Sequence, residues 1–104
     1  YVARELGKRG IAFICSREKE GADSLGPQIK EAFGGPYIIN ERFTKDSANQ
    51  WLASGKADAV AFGVPFIANP DLPARLKADA PLNDARPELF YAKGPVGYID
   101  YPTL

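Results

Sequence analysis

Three times over, this chain runs a stretch with helical spacing of apolar residues, closes or flanks it with glycine, and follows it with a short apolar run. The runs are Ile11-Ala12-Phe13-Ile14-Cys15, Pro36-Tyr37-Ile38-Ile39 and Asp58-Ala59-Val60-Ala61-Phe62-Gly63, about 25 residues apart. Such short runs, with no alternation between apolar and polar residues, read as strands buried on both faces. Helices between them require the strands to lie parallel, so the fold class is α/β with a parallel three-stranded sheet. Three strands alone leave two bare sheet edges, a liability that compact proteins cover. The rest of a barrel, or a second chain, is expected to complete the sheet. The spacing suits an eight-unit TIM barrel in which these are strands six to eight.

The helical stretches follow from local signals. Val2, Ala3 and Leu6 share a face in residues 1–9, with Gly10 just beyond. Asp23 or Ser24 can cap a second helix with Pro27 in its first turn and Leu25, Ile29, Ala32 and Phe33 as its stripe. Thr44 caps a third, in which Ala48, Trp51 and Leu52 share a face and Gly55 marks the stop. Trp51 reads as packing between helix and sheet. A last helix is expected from about Asp71 to Ala80, which assigns residues 1–80 to the helix-strand units. Residues 81–104, rich in Pro, Gly and aromatics, form an extension that packs on the barrel, with Tyr98 and Tyr101 fastening it.

Composition removes several function classes. Thirteen basic residues balance thirteen acids and are scattered, so no nucleic-acid or membrane partner is expected. No apolar run is long enough to span a bilayer and the first residues lack a signal-peptide layout, so the expected compartment is the cytosol. With one cysteine and no histidine, nitrogen or sulfur metal sites and Ser-His-Asp chemistry are excluded within the chain. Cys15, inside an apolar run, reads as a buried small hydrophobe. The chain has no methionine and starts inside a helical pattern, so it is expected to be a piece of a longer protein.

Functional content concentrates at the third strand and the turn after it. Gly63 lets the backbone approach a ligand closely, and Pro65 suits the first turn of a short helix whose free N–H groups favour an anion. That is a phosphate-site geometry. The turn after the second strand is Asn40-Glu41-Arg42-Phe43.

Six stretches, in order from end to end, resemble one family. They are Tyr1-Val2-Ala3-Arg4-Glu5-Leu6-Gly7, Asp58-Ala59-Val60-Ala61-Phe62-Gly63, Phe66-Ile67-Ala68-Asn69-Pro70-Asp71-Leu72, Pro81-Leu82-Asn83, Phe90-Tyr91 and Gly97-Tyr98-Ile99-Asp100-Tyr101-Pro102. Together they resemble the C-terminal portion of the Old Yellow Enzymes, FMN-dependent ene-reductases on a TIM barrel, and especially the N-ethylmaleimide, pentaerythritol tetranitrate and xenobiotic reductases. The resemblance implies a parent oxidoreductase in which NAD(P)H reduces FMN and the flavin reduces an activated alkene, nitro compound or nitrate ester. It implies that Asn40, Glu41 and Arg42 after strand seven, and Gly63 with Val64 after strand eight, lie at the FMN phosphate. Val64 departs from the family, which usually places an arginine there. Arg42 could supply a cation instead; the alternative is a solvated turn residue. Phe90 and Tyr91 match a pair flanking the flavin and substrate pocket, or else are packing residues of the extension. The family's proton-donating tyrosine and substrate-holding residues lie on earlier strands, so no catalytic residue is expected here and the chain alone is expected to be inactive. The competing class is a stand-alone α/β module that binds a phosphate-bearing ligand or a protein.

Overall fold

A computed structural model describes residues 1–104. In chain order the elements are α1 (Val2–Lys8), β1 (Ile14–Arg17), α2 (Gly26–Phe33), β2 (Tyr37–Asn40), α3 (Lys45–Ala53), β3 (Ala59–Ala61), α4 (Val64–Ala68), α5 (Leu72–Ala78) and a 3-10 turn at Pro87–Leu89. They form two compact units, Tyr1–Phe62 and Gly63–Leu104.

The first unit holds the sheet, in the order β1-β2-β3 and parallel throughout. Ile14 pairs with Tyr37, while Ser16, Ile39 and Val60 lie side by side across the three strands. Paired residues of a parallel sheet share a face. Ile14, Tyr37, Ile39 and Val60 therefore meet α2 and α3 in one core with Ile29, Phe43, Ala48, Trp51, Ala57 and Phe62. Tyr37 and Ile39 on central β2 are fully buried. Trp51 is the packing residue expected, its ring edge-on to Phe43 at 5.4 Å.

Burial on both faces does not hold. The face toward α2 and α3 is the better covered; on the other, Ile38, Asn40, Ala59 and Ala61 are half-buried and Cys15 and Arg17 exposed. β1 starts at Ile14 rather than Ile11, because its extent is set by what β2 pairs with. Ile11 and Phe13 are exposed, and Cys15 is exposed rather than buried: it sits on an edge strand and points away from the helix-covered face.

Local signals decide the helices more faithfully. The Thr44 hydroxyl accepts from the Ser47 amide while the Ser47 hydroxyl accepts from the Thr44 amide, a reciprocal capping box that opens α3. Neither Asp23 nor Ser24 caps α2: Leu25 stands at the N-cap with no side-chain cap bond, and the Ser24 hydroxyl accepts from the Gly26 amide at the first residue of the helix. Leu52 is largely exposed and leaves Ala48 and Trp51 as the inner face of α3. Gly7 is where α1 meets the end of α2, since a Cβ there would overlap the Phe33 carbonyl.

Asp58 locks the entry to β3. Its amide donates to the Tyr37 carbonyl at 2.9 Å, and its carboxylate accepts from the Tyr37 amide at 2.9 Å and the Lys30 ammonium at 2.8 Å.

The second unit is held by a polar clasp. Arg75 on α5, only 5% exposed, donates to the Asp71 carboxylate at 2.8 Å and to the carbonyls of Pro81 at 2.6 Å and Pro102 at 2.8 Å. Asp71 also accepts from the Leu104 amide. Buried Asn69 accepts from the Asn83 amide, and the Asn83 side chain donates to the carbonyls of Ala68 and Pro102. Both ends of the 84–101 segment are thereby pinned to α5. Tyr101 is buried, but its contacts lie inside the extension: its hydroxyl accepts from the Arg86 amide and the Arg86 guanidinium stacks over its ring. Tyr98 does not fasten the extension: it is 81% exposed.

Candidate phosphate site

β2 must turn into the N-cap of α3 within three residues, and it does so through two left-handed conformations. Glu41 has φ 125° and Arg42 φ 57°, values that side-chain-bearing residues rarely adopt. Phe43 pins the far end of the turn in the core. Asn40 ties the near end, its side chain donating to the Ala61 carbonyl at 2.6 Å and its carbonyl accepting from the Glu18 amide. The amides of Glu41, Arg42 and Phe43 have no acceptor within the chain.

The Glu41 side chain is 12% exposed and is the anionic group of the loop. Its carboxylate accepts from Arg17 Nε, and a second Arg17 nitrogen lies at 3.5 Å. Arg42 Nε is 3.6 Å away. Arg17 hydrogen bonding, chiefly, holds the Glu41 carboxyl below the usual carboxylate range, with Arg42 and Lys19 adding to it. No local motif marks Arg17 as part of this turn. As the last residue of β1 it meets Glu41 only because β1 and β2 pair in parallel.

Gly63 and Val64 stand at the head of α4 in the second unit. The Gly63 carbonyl accepts from the amides of Phe66 and Ile67, while the amides of Gly63 and Val64 have no acceptor. Gly63 follows Ala61, the partner of Asn40, by two residues. Phe90, half-buried, closes the 3-10 turn, and Tyr91 is 99% exposed. The structure thus brings Asn40, Glu41 and Arg42 into one turn of the first unit; Gly63, Val64, Phe90 and Tyr91 belong to the second. No cluster of metal-ligating side chains exists. No helix is long and apolar enough to cross a membrane.

No family model matches the chain. Curated relatives do. It is 39% identical over 114 residues to 12-oxophytodienoate reductase 2 of Arabidopsis thaliana, covering all of this chain and 30% of that protein. It is 39% identical over 110 residues to a probable flavin mononucleotide-dependent alkene reductase of Leishmania infantum, covering all of this chain and 29% of that one. Among solved structures, the Old Yellow Enzyme homologue of Zymomonas mobilis superposes with a TM-score of 0.91 at 41% identity, over 98% of this chain and 31% of that one. The chain spans about a third or less of these relatives. With sequence identity of 39% over all of the chain and a TM-score of 0.91 over 98% of it, the chain belongs to the Old Yellow Enzyme family, matching the C-terminal part of its TIM barrel.

Proposed function

We propose that this chain is the C-terminal segment of an FMN-dependent NAD(P)H oxidoreductase acting on activated alkenes, nitro compounds or nitrate esters, and that it provides part of the FMN phosphate site and of the pocket rim. The observation that carries this reading is the row of amides without acceptors at Glu41, Arg42 and Phe43 in the turn after β2; separately, the head of α4 leaves the amides of Gly63 and Val64 without acceptors. Backbone amides leaving the carboxyl edge of a parallel sheet are suited to a phosphate.

The donor set fits a phosphate group. Its amides are neutral and Arg42 is an open cation, 83% exposed, whereas Val64 offers no charge. FMN, when bound, supplies hydride chemistry between nicotinamide and substrate. This chain's own contribution is to hold and orient the cofactor tail. Phe90 and Tyr91 are the aromatic rim that would keep water from the pocket. The Tyr37 hydroxyl is engaged with Ser16, and burial pushes its pKa up, so it is not free to donate to a substrate. Protonation of substrate falls to residues of the remaining barrel.

Titrating the chain with FMN and riboflavin tests the reading. FMN is expected to bind weakly and in preference to riboflavin, with no NADPH oxidation in the presence of cyclohexenone. Val64→Arg is expected to tighten FMN about tenfold, the size of one charge-assisted contact. Equal affinity for riboflavin and FMN, unaffected by Val64→Arg, would overturn it.

A further inference from the structure

We propose that Glu41 is a resident counter-ion filling an anion site on the turn after β2, and that a phosphate monoester dianion binds there by taking over the Arg17 and Arg42 guanidinium groups from its carboxylate. The inference rests on reading this turn as part of a phosphate site; it goes further in assigning Arg17 to that site and in naming what occupies it beforehand.

The exposures set the arrangement. The Glu41 side chain is tucked in at 12% exposed, while the two arginines that face it are open to solvent at 80% and 83%. Arg17 presents two nitrogens to the two carboxylate oxygens, the fork with which guanidinium groups also grip phosphate. Arg42 approaches the same carboxylate from the turn itself. No other anion pairs with either arginine. The amides of Glu41, Arg42 and Phe43, in a turn of two successive left-handed residues, remain without acceptors, and consecutive amides in turns form anion-binding hollows. One carboxylate thus stands among two guanidinium groups and a row of free amides. A dianion carries twice its charge and can accept from both arginines and the amides together. Lys19 also acts on this carboxylate, while its neighbours Glu18 and Glu20 balance it on the adjoining loop.

The probe is inorganic phosphate, titrated into the 104-residue chain and followed by NMR at the arginine Nε and loop amide resonances. Glu41→Gln is expected to tighten phosphate about two- to fivefold, the range for exposed ion pairs removed from competition. Arg17→Gln is expected to weaken it by a similar factor, and the gain from Glu41→Gln to shrink in the double variant. Glu41→Asp, which keeps the charge, is expected to stay near wild type and controls for loss of the contact between β1 and the turn. Unchanged or weaker phosphate binding in a folded Glu41→Gln protein overturns the counter-ion role, as does an absence of phosphate-induced shifts at Arg17 and Arg42. The reading of the whole site is tested separately by FMN-induced shifts at Gly63 and Val64. If those move while Glu41→Gln has no effect, only the counter-ion inference falls.

Discussion

Arg75 shows how much one side chain can organise. A buried guanidinium is tolerated only when its donors are satisfied, and here one carboxylate and two carbonyls from opposite ends of the extension do so. Arg75→Ala leaves those acceptors stranded and is expected to cost about 3 kcal/mol. Arg75→Lys, with a single ammonium, cannot span both carbonyls and is expected to fall between. Hydrogen exchange along residues 68–104 is the suitable measurement, because Trp51 fluorescence reports on the other unit. Nothing local in the sequence signals this role, since Pro81 and Pro102 are six and 27 positions away. The same holds for Arg17, which meets Glu41 across 24 positions. Glu41 and Arg42 themselves were legible as a turn, but their left-handed backbone was not, because it follows from the short path between a paired strand and a capped helix.

Among the elements, β3 is short and only half-buried, and polar contacts at its entry add to its pairing with β2. Asp58 supplies those contacts, and hydrogen bonding from Lys30, then from the Tyr37 amide, holds its carboxyl below the usual range. Glu41, Asp71 and Asp100 are lowered as well, chiefly by Arg17, the Leu104 amide and Arg86 respectively. A carboxyl depressed in the folded state stabilises above its unfolded pKa, and the stabilisation is lost as pH falls through the folded value. The unfolding midpoint is therefore expected to be level above about pH 5 and to drop in acid below about pH 4. Asp58→Asn is expected to flatten part of that drop, as thermal unfolding across the acid range would measure. A slope unchanged in Asp58→Asn would remove Asp58 from this account. The α3 cap, by contrast, was legible beforehand, since Thr44 and Ser47 are three positions apart and need no tertiary partner.

For the molecule as a whole, the open sheet is decisive. β1 and β3 each pair on one side only, and Phe13 and Ile11 stand exposed beside the β1 edge. Strands that present unpaired edges and apolar side chains associate. Sedimentation is expected to show concentration-dependent self-association, reduced in Phe13→Lys, which places a charge beside the edge. A monomer at all concentrations would instead favour a self-sufficient module. By itself, the sequence determined the alternation of helices and strands, the parallel sheet, the Thr44 cap, the packing role of Trp51 and the family, because these depend on local spacing and on ordered motifs. Only the tertiary structure decided where β1 begins, that Cys15 faces solvent, that one face of the sheet is covered less than the other, and that Arg17 and Arg75 are paired. Those outcomes depend on which residues strand pairing and chain closure bring together, and contacts between distant positions leave no local periodicity to read.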